Sequence, residues 1–242
     1  MKRSLLDEVV AARGARRPVV RLAWLDTGRE ALIDAVAVER AQAGDDVAEI
    51  ASLDPELVAA LAESIASDRA RLVDCAEGPV FVHPFNPPLR LAIVGAVHIA
   101  QRLAGLARDL GYEVLVIDPR RGFLTEARFP GVRLDHDWPD EALARLAPDA
   151  RTAVVTLSHD AKIDEPALAV ALRAPCFYVG ALGSRRTQER RRERLREAGL
   201  DESALGRIHG PVGLDLGAQS PAEIALSIAA EMTAILRGRG SG

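Results

Sequence analysis

LAIVGAVHIAQRLAGLARDLGYEVLVIDPRR, residues Leu91–Arg121, sets the architecture expected of this chain. Leu91 to Val94 is a short apolar run of the kind a buried strand shows, and it ends at Gly95. Ile99, Leu103, Leu106, Ala107 and Leu110 recur at three- and four-residue steps, which puts them on one face of a helix. Gly111 stands where a helix C-terminus favours a residue that tolerates positive φ. A second apolar run, Val114 to Ile117, ends at Asp118. The unit is strand–helix–strand, with parallel strands and a right-handed crossover.

The chemistry lies at the two strand ends. Gly95 permits a tight turn into a helix whose free N–H groups and positive dipole end favour an anion. Asp118 follows Gly95 by 23 residues, the place of the carboxylate that accepts from a ribose hydroxyl in dinucleotide-binding folds. The glycine fingerprint is broken, however. Gly95-Ala96-Val97-His98-Ile99-Ala100 carries Val97 at the second glycine position, where a β-branched side chain stands in the way of a pyrophosphate. Two readings stay open, a ligand-binding turn and a structural βαβ unit with no ligand there. Arg120, just beyond Asp118, either reaches a phosphate or is solvated.

Around this unit, residues 1–86 read as a small α+β domain and 87–242 as a Rossmann-type domain, a mostly parallel sheet with helices on both faces. In the first part, Ser4–Arg13 is a short helix with Leu5, Val9 and Val10 on one side. Pro18–Leu25 and Ala31–Val38 are strands joined by Asp26-Thr27-Gly28. Asp54-Pro55 starts a helix, with Asp54 as its cap. Arg71–Asp74 and Pro79–His83 are short strands. Pro84-Phe85-Asn86-Pro87-Pro88 is the boundary, because consecutive prolines favour extended chain.

In the second part, a short strand is expected near Val132–Leu134 and a helix over Asp140–Leu146. Thr152–Leu157 is a buried strand ending at Ser158-His159-Asp160, polar residues that face the crevice of an open α/β sheet. Asp164-Glu165-Pro166 starts the next helix, and Cys176–Val179 is the strand after it. That strand runs into a second glycine turn, Gly180 to Gly183. Ser184 is its natural cap, and Arg185 and Arg186 lie on the helix's first turn. Cations there oppose the dipole unless an anion sits nearby, which makes Gly183-Ser184-Arg185 the better phosphate site. The rest of that helix, Thr187–Leu195, reads as a solvated basic face. Ile208–Gly217 is a glycine-rich loop containing Gly213 and Asp215. Ser220-Pro221-Ala222-Glu223 is a capping box opening the last helix, and Arg237–Gly242 is expected to fray.

Composition narrows the functional classes. The chain has 242 residues, 48% hydrophobic and 27% charged, with a formal net charge of −4 and only 4% aromatics. Nothing there suggests a nucleic-acid surface. Met1–Arg17 has no apolar core of a signal peptide, and Glu231 interrupts the most apolar stretch, Ile224–Leu236. Two cysteines, Cys75 and Cys176, with no C-x-x-C pair, predict a reducing, cytoplasmic setting. Cys176 reads as a core thiol and Cys75 as the more reactive one. His159-Asp160, His209 and Asp215 fall on loops expected at one sheet edge, where they can converge, but neither a metal motif nor a nucleophile–base pair is present.

Five segments together resemble the XdhC/CoxI family of accessory proteins for molybdenum-containing hydroxylases. They are Leu91–Arg120, Arg128-Phe129-Pro130, LSHDAKIDEPAL from Leu157, FYVGALGSRRTQERR from Phe177 and IHGPVGLDLGAQSPAEIALSIAAE from Ile208. The resemblance implies a non-catalytic chaperone that binds a molybdopterin-type molybdenum cofactor, in its simple or cytosine dinucleotide form, and inserts it into a hydroxylase apoenzyme. A cysteine desulfurase as partner and a homodimer are consistent with it. The cofactor's phosphates are then expected at Gly95, Ala96, Val97, His98, Gly180, Gly183, Ser184, Arg185 and Arg186, with Asp118 at any ribose. Arg120, Ser158, His159, Asp160, Gly213 and Asp215 complete the expected surroundings. Val97 replaces a glycine that many members carry, and the glycine–glycine–cysteine motif of longer members is absent. An NAD(P)-dependent oxidoreductase and a protein-interaction module with a degenerate nucleotide site are the alternatives.

Overall fold

A computed structural model describes residues 2–239. The chain divides into two compact units, Met1–Pro87 and Pro88–Gly242.

The first unit runs α1 (Arg3–Gly14), β1 (Val19–Trp24), β2 (Glu30–Asp34), α2 (Ala35–Gln42), α3 (Ala48–Ala51), α4 (Pro55–Ser67), β3 (Arg71–Cys75) and β4 (Gly78–Phe85). Its strands form an antiparallel sheet in the order β2-β1-β4-β3. Val20, Leu22, Trp24, Ile33, Leu57, Leu61, Val80 and Val82 form its core. As expected, Asp54 caps α4 by accepting from the Glu56 N–H, with Pro55 in the first turn. Three expectations change. Ala35–Val38 is helix rather than strand, because the Asp34 side chain accepts from the Val36 N–H and starts α2 there. Val10 is exposed while Val9 is buried. Pro84 lies within β4, opposite Val20, where β3 has already ended, so its missing N–H costs no ladder bond.

The second unit runs β5 (Arg90–Val94), α5 (His98–Asp109), β6 (Glu113–Ile117), β7 (Arg133–Asp135), α6 (Pro139–Leu146), β8 (Thr152–Thr156), α7 (Ala161–Arg173), β9 (Tyr178–Ala181), α8 (Arg185–Glu197), α9 (Glu202–Gly206), β10 (Ile208–His209) and α10 (Pro221–Leu236). Six parallel strands lie in the order β10-β9-β8-β5-β6-β7. Alternation along β5 gives the sheet two buried faces. Leu91 and Ile93 join a core with residues of α5 and α10, and Ala92 and Val94 join another with residues of α6 and α7. This is the Rossmann-type α/β architecture. The chain leaves β5 and β8 in opposite directions, and the crevice of such a sheet opens between those two strands at their carboxyl ends.

Here too some boundaries move. α7 begins at Ala161, because the Asp160 side chain accepts from the Lys162 N–H; Pro166 is therefore inside the helix rather than at its start. Cys176 precedes its strand, and Leu110 caps α5 with its side chain exposed. The capping box of Ser220 and Glu223 forms as expected. Arg237, Gly238 and Arg239 hydrogen-bond back to α10, and the remainder of the tail expected to fray lies outside the described residues. Among the described residues no helix is long and apolar enough to cross a membrane.

Candidate functional site

The first glycine turn, between β5 and α5, is closely packed. Gly95 has φ +102°, and a Cβ there would lie 2.7 Å from the backbone nitrogen of Ser158, so glycine alone fits. The Ala96 N–H donates to Asp118 Oδ2 at 2.7 Å. Val97 is the N-cap residue without a side-chain cap bond, which leaves the first N–H groups of α5, starting at the exposed His98, without side-chain partners. Its own side chain is half-buried against the core of the α5 face rather than free above the turn.

Asp118, the carboxylate expected at a ribose hydroxyl, is wholly buried and already engaged. Beyond Ala96, its oxygens accept from the Arg120 N–H, Nε and Nη2 at 2.8–2.9 Å. Burial raises its pKa, but the hydrogen bonds from Arg120 and Ala96 outweigh that and hold it below the usual carboxylate value. Arg120 is thus an ion-pair partner rather than a freely solvated cation. Its side chain is 35% exposed, and the guanidinium carbon lies 4.7 Å from the centre of the Phe123 ring.

Beside this turn, Ser158 begins the loop from β8 to α7. Its hydroxyl donates to Asp164 Oδ1 at 2.6 Å and accepts from the Asp160 N–H at 3.1 Å, so it braces the loop. His159 is exposed at φ +63°, and Asp160 caps α7. The early start of α7 carries Asp164 into the interior, where it is fully buried and 3.5 Å from Arg191 Nη2 of α8. Burial raises the Asp164 pKa, opposed by the Ser158 hydroxyl and the Arg191 charge.

At the second turn, Gly183 has φ +137°, and Ser184 caps α8 by accepting from the Thr187 N–H at 3.3 Å. Arg185 and Arg186 are exposed on the first turn as expected, and neither has a carboxylate partner among the described residues. Gly180 is not part of this turn. It is buried within β9, paired with Val155 and His209, and a Cβ there would lie 2.6 Å from a Val212 methyl. The helix body also departs from a uniformly solvated face. Gln188 and Arg191 are buried, with Arg191 Nη1 donating to Gln188 Oε1 at 2.6 Å and Nη2 to the Leu182 carbonyl at 3.1 Å.

The glycine-rich loop is tied to α10. The Gly213 N–H donates to Glu231 Oε2 at 2.8 Å, and the Tyr178 hydroxyl donates to the same oxygen. Asp215 is exposed farther along. His209 stacks on Tyr178 with ring centres 4.7 Å apart, and its Nδ1 is 3.7 Å from Glu231 Oε1. His209 therefore belongs to this cluster, and among the described residues no hydrogen bond or ion pair joins it to His159 or Asp215.

Sequence reading misses Asp164, Gln188, Arg191, Tyr178 and Glu231 as organising residues. The available signal is Asp160 as an Asx-type cap, which moves the start of α7 and brings Asp164 inside. The two cysteines also sort differently. Burial pushes the Cys176 thiol up to about 11. Cys75, at the end of β3, lines a cavity of about 270 Å³ with Trp24, Arg29, Asp54, Leu57 and Glu77. Burial and then the charges of Asp54, Glu56, Asp74 and Glu77 raise its pKa too, so it is not poised as a thiolate. Among the described residues no cluster of three or more histidine, cysteine or acidic side chains could hold a metal ion.

Comparison with known proteins identifies relatives and a similar fold. The chain is 34% identical over 151 residues to the molybdenum cofactor insertion chaperone PaoD of Escherichia coli K12, covering 62% of this chain and 41% of that one. It is 31% identical over 154 residues to a Bacillus subtilis 168 protein described as a probable xanthine dehydrogenase subunit, covering 63% and 44%. It is 32% identical over 163 residues to the uncharacterized protein YqeB of Escherichia coli K12, covering 67% and 30%. The chain thus spans less than half the length of each of these relatives. In fold it is similar to a crystal structure of a Bacillus halodurans protein described as a xanthine dehydrogenase, with TM-score 0.69 and 23% identity over 99% of this chain and 66% of that one. The family model of the XdhC Rossmann domain matches residues 91–232, from β5 into α10, and the chain belongs to the XdhC family.

Proposed function

We propose that this chain binds a molybdenum cofactor at the carboxyl edge of its six-stranded sheet and hands it to a molybdenum hydroxylase apoenzyme, acting as a chaperone rather than an enzyme. The observation that carries the reading is the placement of Arg185 and Arg186. On α8, Arg191, Arg194 and Arg196 have carboxylate partners in Asp164, Glu165 and Glu202. Arg185, Arg186, Arg190 and Arg192 have none among the described residues, and of these Arg185 and Arg186 occupy the first turn, where a cation is unfavourable without an anion. With the Gly183 turn and the Ser184 cap, they suit a phosphate or pyrophosphate.

The uncapped N–H groups at His98 fit a second anionic group of the same cargo. His159, Asp160 and Asp215 line the same edge in this reading. Asp118, with both oxygens engaged, suits a bracing role better than ribose recognition, which weighs against an NAD(P) enzyme using this crevice. The dinucleotide form of the cofactor, a desulfurase partner, a homodimer and a cytoplasmic setting belong to the same proposal.

The test is anaerobic calorimetric titration with molybdopterin cofactor, its cytosine dinucleotide form, NAD and NADP. The wild-type chain is compared with an Arg185→Ala, Arg186→Ala variant. Micromolar or tighter cofactor binding that the variant loses is the expected result. Binding of NAD(P) without cofactor affinity overturns it in favour of a dehydrogenase, and silence towards all four favours a protein-interaction module.

A further inference from the structure

The two turns of the candidate site are joined beneath the surface by a buried ion pair, which belongs to neither turn. Asp164 Oδ1 accepts from both the hydroxyl and the backbone N–H of Ser158, at 2.6 and 3.3 Å. Asp164 Oδ2 faces Arg191 Nη2 at 3.5 Å, with the two side chains 0% and 4% exposed. The same Arg191 nitrogen donates to the Leu182 carbonyl at 3.1 Å, and Nη1 holds Gln188 Oε1 at 2.6 Å. Gln188 Nε2 in turn donates to the carbonyls of Ala181 at 2.7 Å and Gly183 at 3.4 Å. A continuous chain of side-chain bonds therefore runs from the Ser158 turn to the Gly183 turn. At the far side of Ser158, its backbone abuts Gly95 so closely that no Cβ fits between them.

We propose that Asp164 and Arg191 are positioning residues, a strut that holds the Ser158–Asp160 and Leu182–Ser184 turns at a fixed separation so that one anionic ligand engages both. β8 and β9 are adjacent strands, so the turns lie about one strand spacing apart, roughly 5 Å. A phosphate or pyrophosphate has that reach. A buried ion pair is weak evidence for stability as such, because desolvation offsets much of the attraction. Its value here lies in geometry, since the guanidinium spreads its donors over two nitrogens, Nη2 toward Asp164 and the Leu182 carbonyl and Nη1 toward Gln188, a reach that a single ammonium nitrogen lacks. The inference rests on the anion-binding reading above and specifies which buried residues set up that site.

Removing Arg191 alone leaves a buried carboxylate without its cation and risks unfolding the unit. The variant to use is Asp164→Asn with Arg191→Met, which removes both charges and keeps a partner for the Ser158 hydroxyl. Arg194→Ala, which breaks the more exposed pair with Glu165, is the control. Each is titrated with inorganic pyrophosphate and with molybdopterin cofactor, and amide hydrogen exchange is followed over residues 158–161 and 181–184. The expected result is an unfolding profile like that of the wild-type chain, a tenfold or greater loss of affinity in the double variant only, and faster exchange at both turns together. Unchanged affinity in the double variant, or faster exchange at one turn alone, overturns the strut. If the wild-type chain binds neither probe, the anion-binding reading fails, and the exchange pattern still decides whether the two turns are coupled.

Discussion

Single side chains at the carboxyl edge of the sheet are committed to one another more than to solvent. Glu231 shows how that changes a titration. Burial raises its pKa, but the neighbouring His209 and the hydrogen bonds from Tyr178 and Gly213 outweigh burial and leave it below the ordinary carboxylate value. A carboxylate held lower in the folded state contributes stability above its unfolded pKa of about 4.3, and that contribution is lost as pH falls through the folded value. Glu231→Gln is therefore expected to cost about 1–3 kcal/mol at pH 7, with the gap to the wild-type chain narrowing below about pH 4. Urea unfolding at a series of pH values measures it, and a gap that widens in acid contradicts the assignment. Asp118 follows the same sign, whereas the raised pKa of Asp164 has the opposite one.

Among the elements, the helix starts carry the most information. α4, α7, α8 and α10 each open on an Asp or Ser side chain that accepts a first-turn N–H. Local bonds of this kind are written in the sequence, and the caps at Asp54, Ser184 and Ser220 are legible there. The cap at Asp160 is not, because Pro166 downstream resembles a first-turn proline and draws the expected start forward. Its consequence is large, since one extra turn of α7 carries Asp164 under the Ser158 loop. Asp160→Ala is expected to destabilise the chain by about 1 kcal/mol and to speed amide exchange at residues 161–164. Thermal unfolding and exchange that stay unchanged in the variant would contradict this.

At the scale of the molecule, each of the two units has its own apolar core. The cores of the α/β unit draw only on residues from Leu89 onward, and those of the antiparallel unit only on residues up to Phe85. Residues 88–242 expressed alone are therefore expected to unfold cooperatively and to keep the circular dichroism of a mixed α/β fold. A non-cooperative melt would show that the first unit is needed for the second to fold.

Legible in the amino-acid order alone are the strand–helix–strand beginning at Leu91, the parallel sheet and the turns at Gly95 and Gly183, because apolar periodicity, glycine at tight turns and capping residues act over a few positions. Family membership is legible there too, since those segments occur in a fixed order. What the polar residues do depends on the packing of the folded chain. Asp118 reads as a ribose acceptor in the sequence, and the fold places Arg120 and Ala96 on its two oxygens. Arg191 reads as solvated, and the packing of α8 against α7 buries it beside Asp164. Gly180 reads as part of a turn, and pairing with β10 makes it strand. The partners of a buried charge or a packed glycine come from distant parts of the chain, and the energy of burying them is set by those partners rather than by their sequence neighbours.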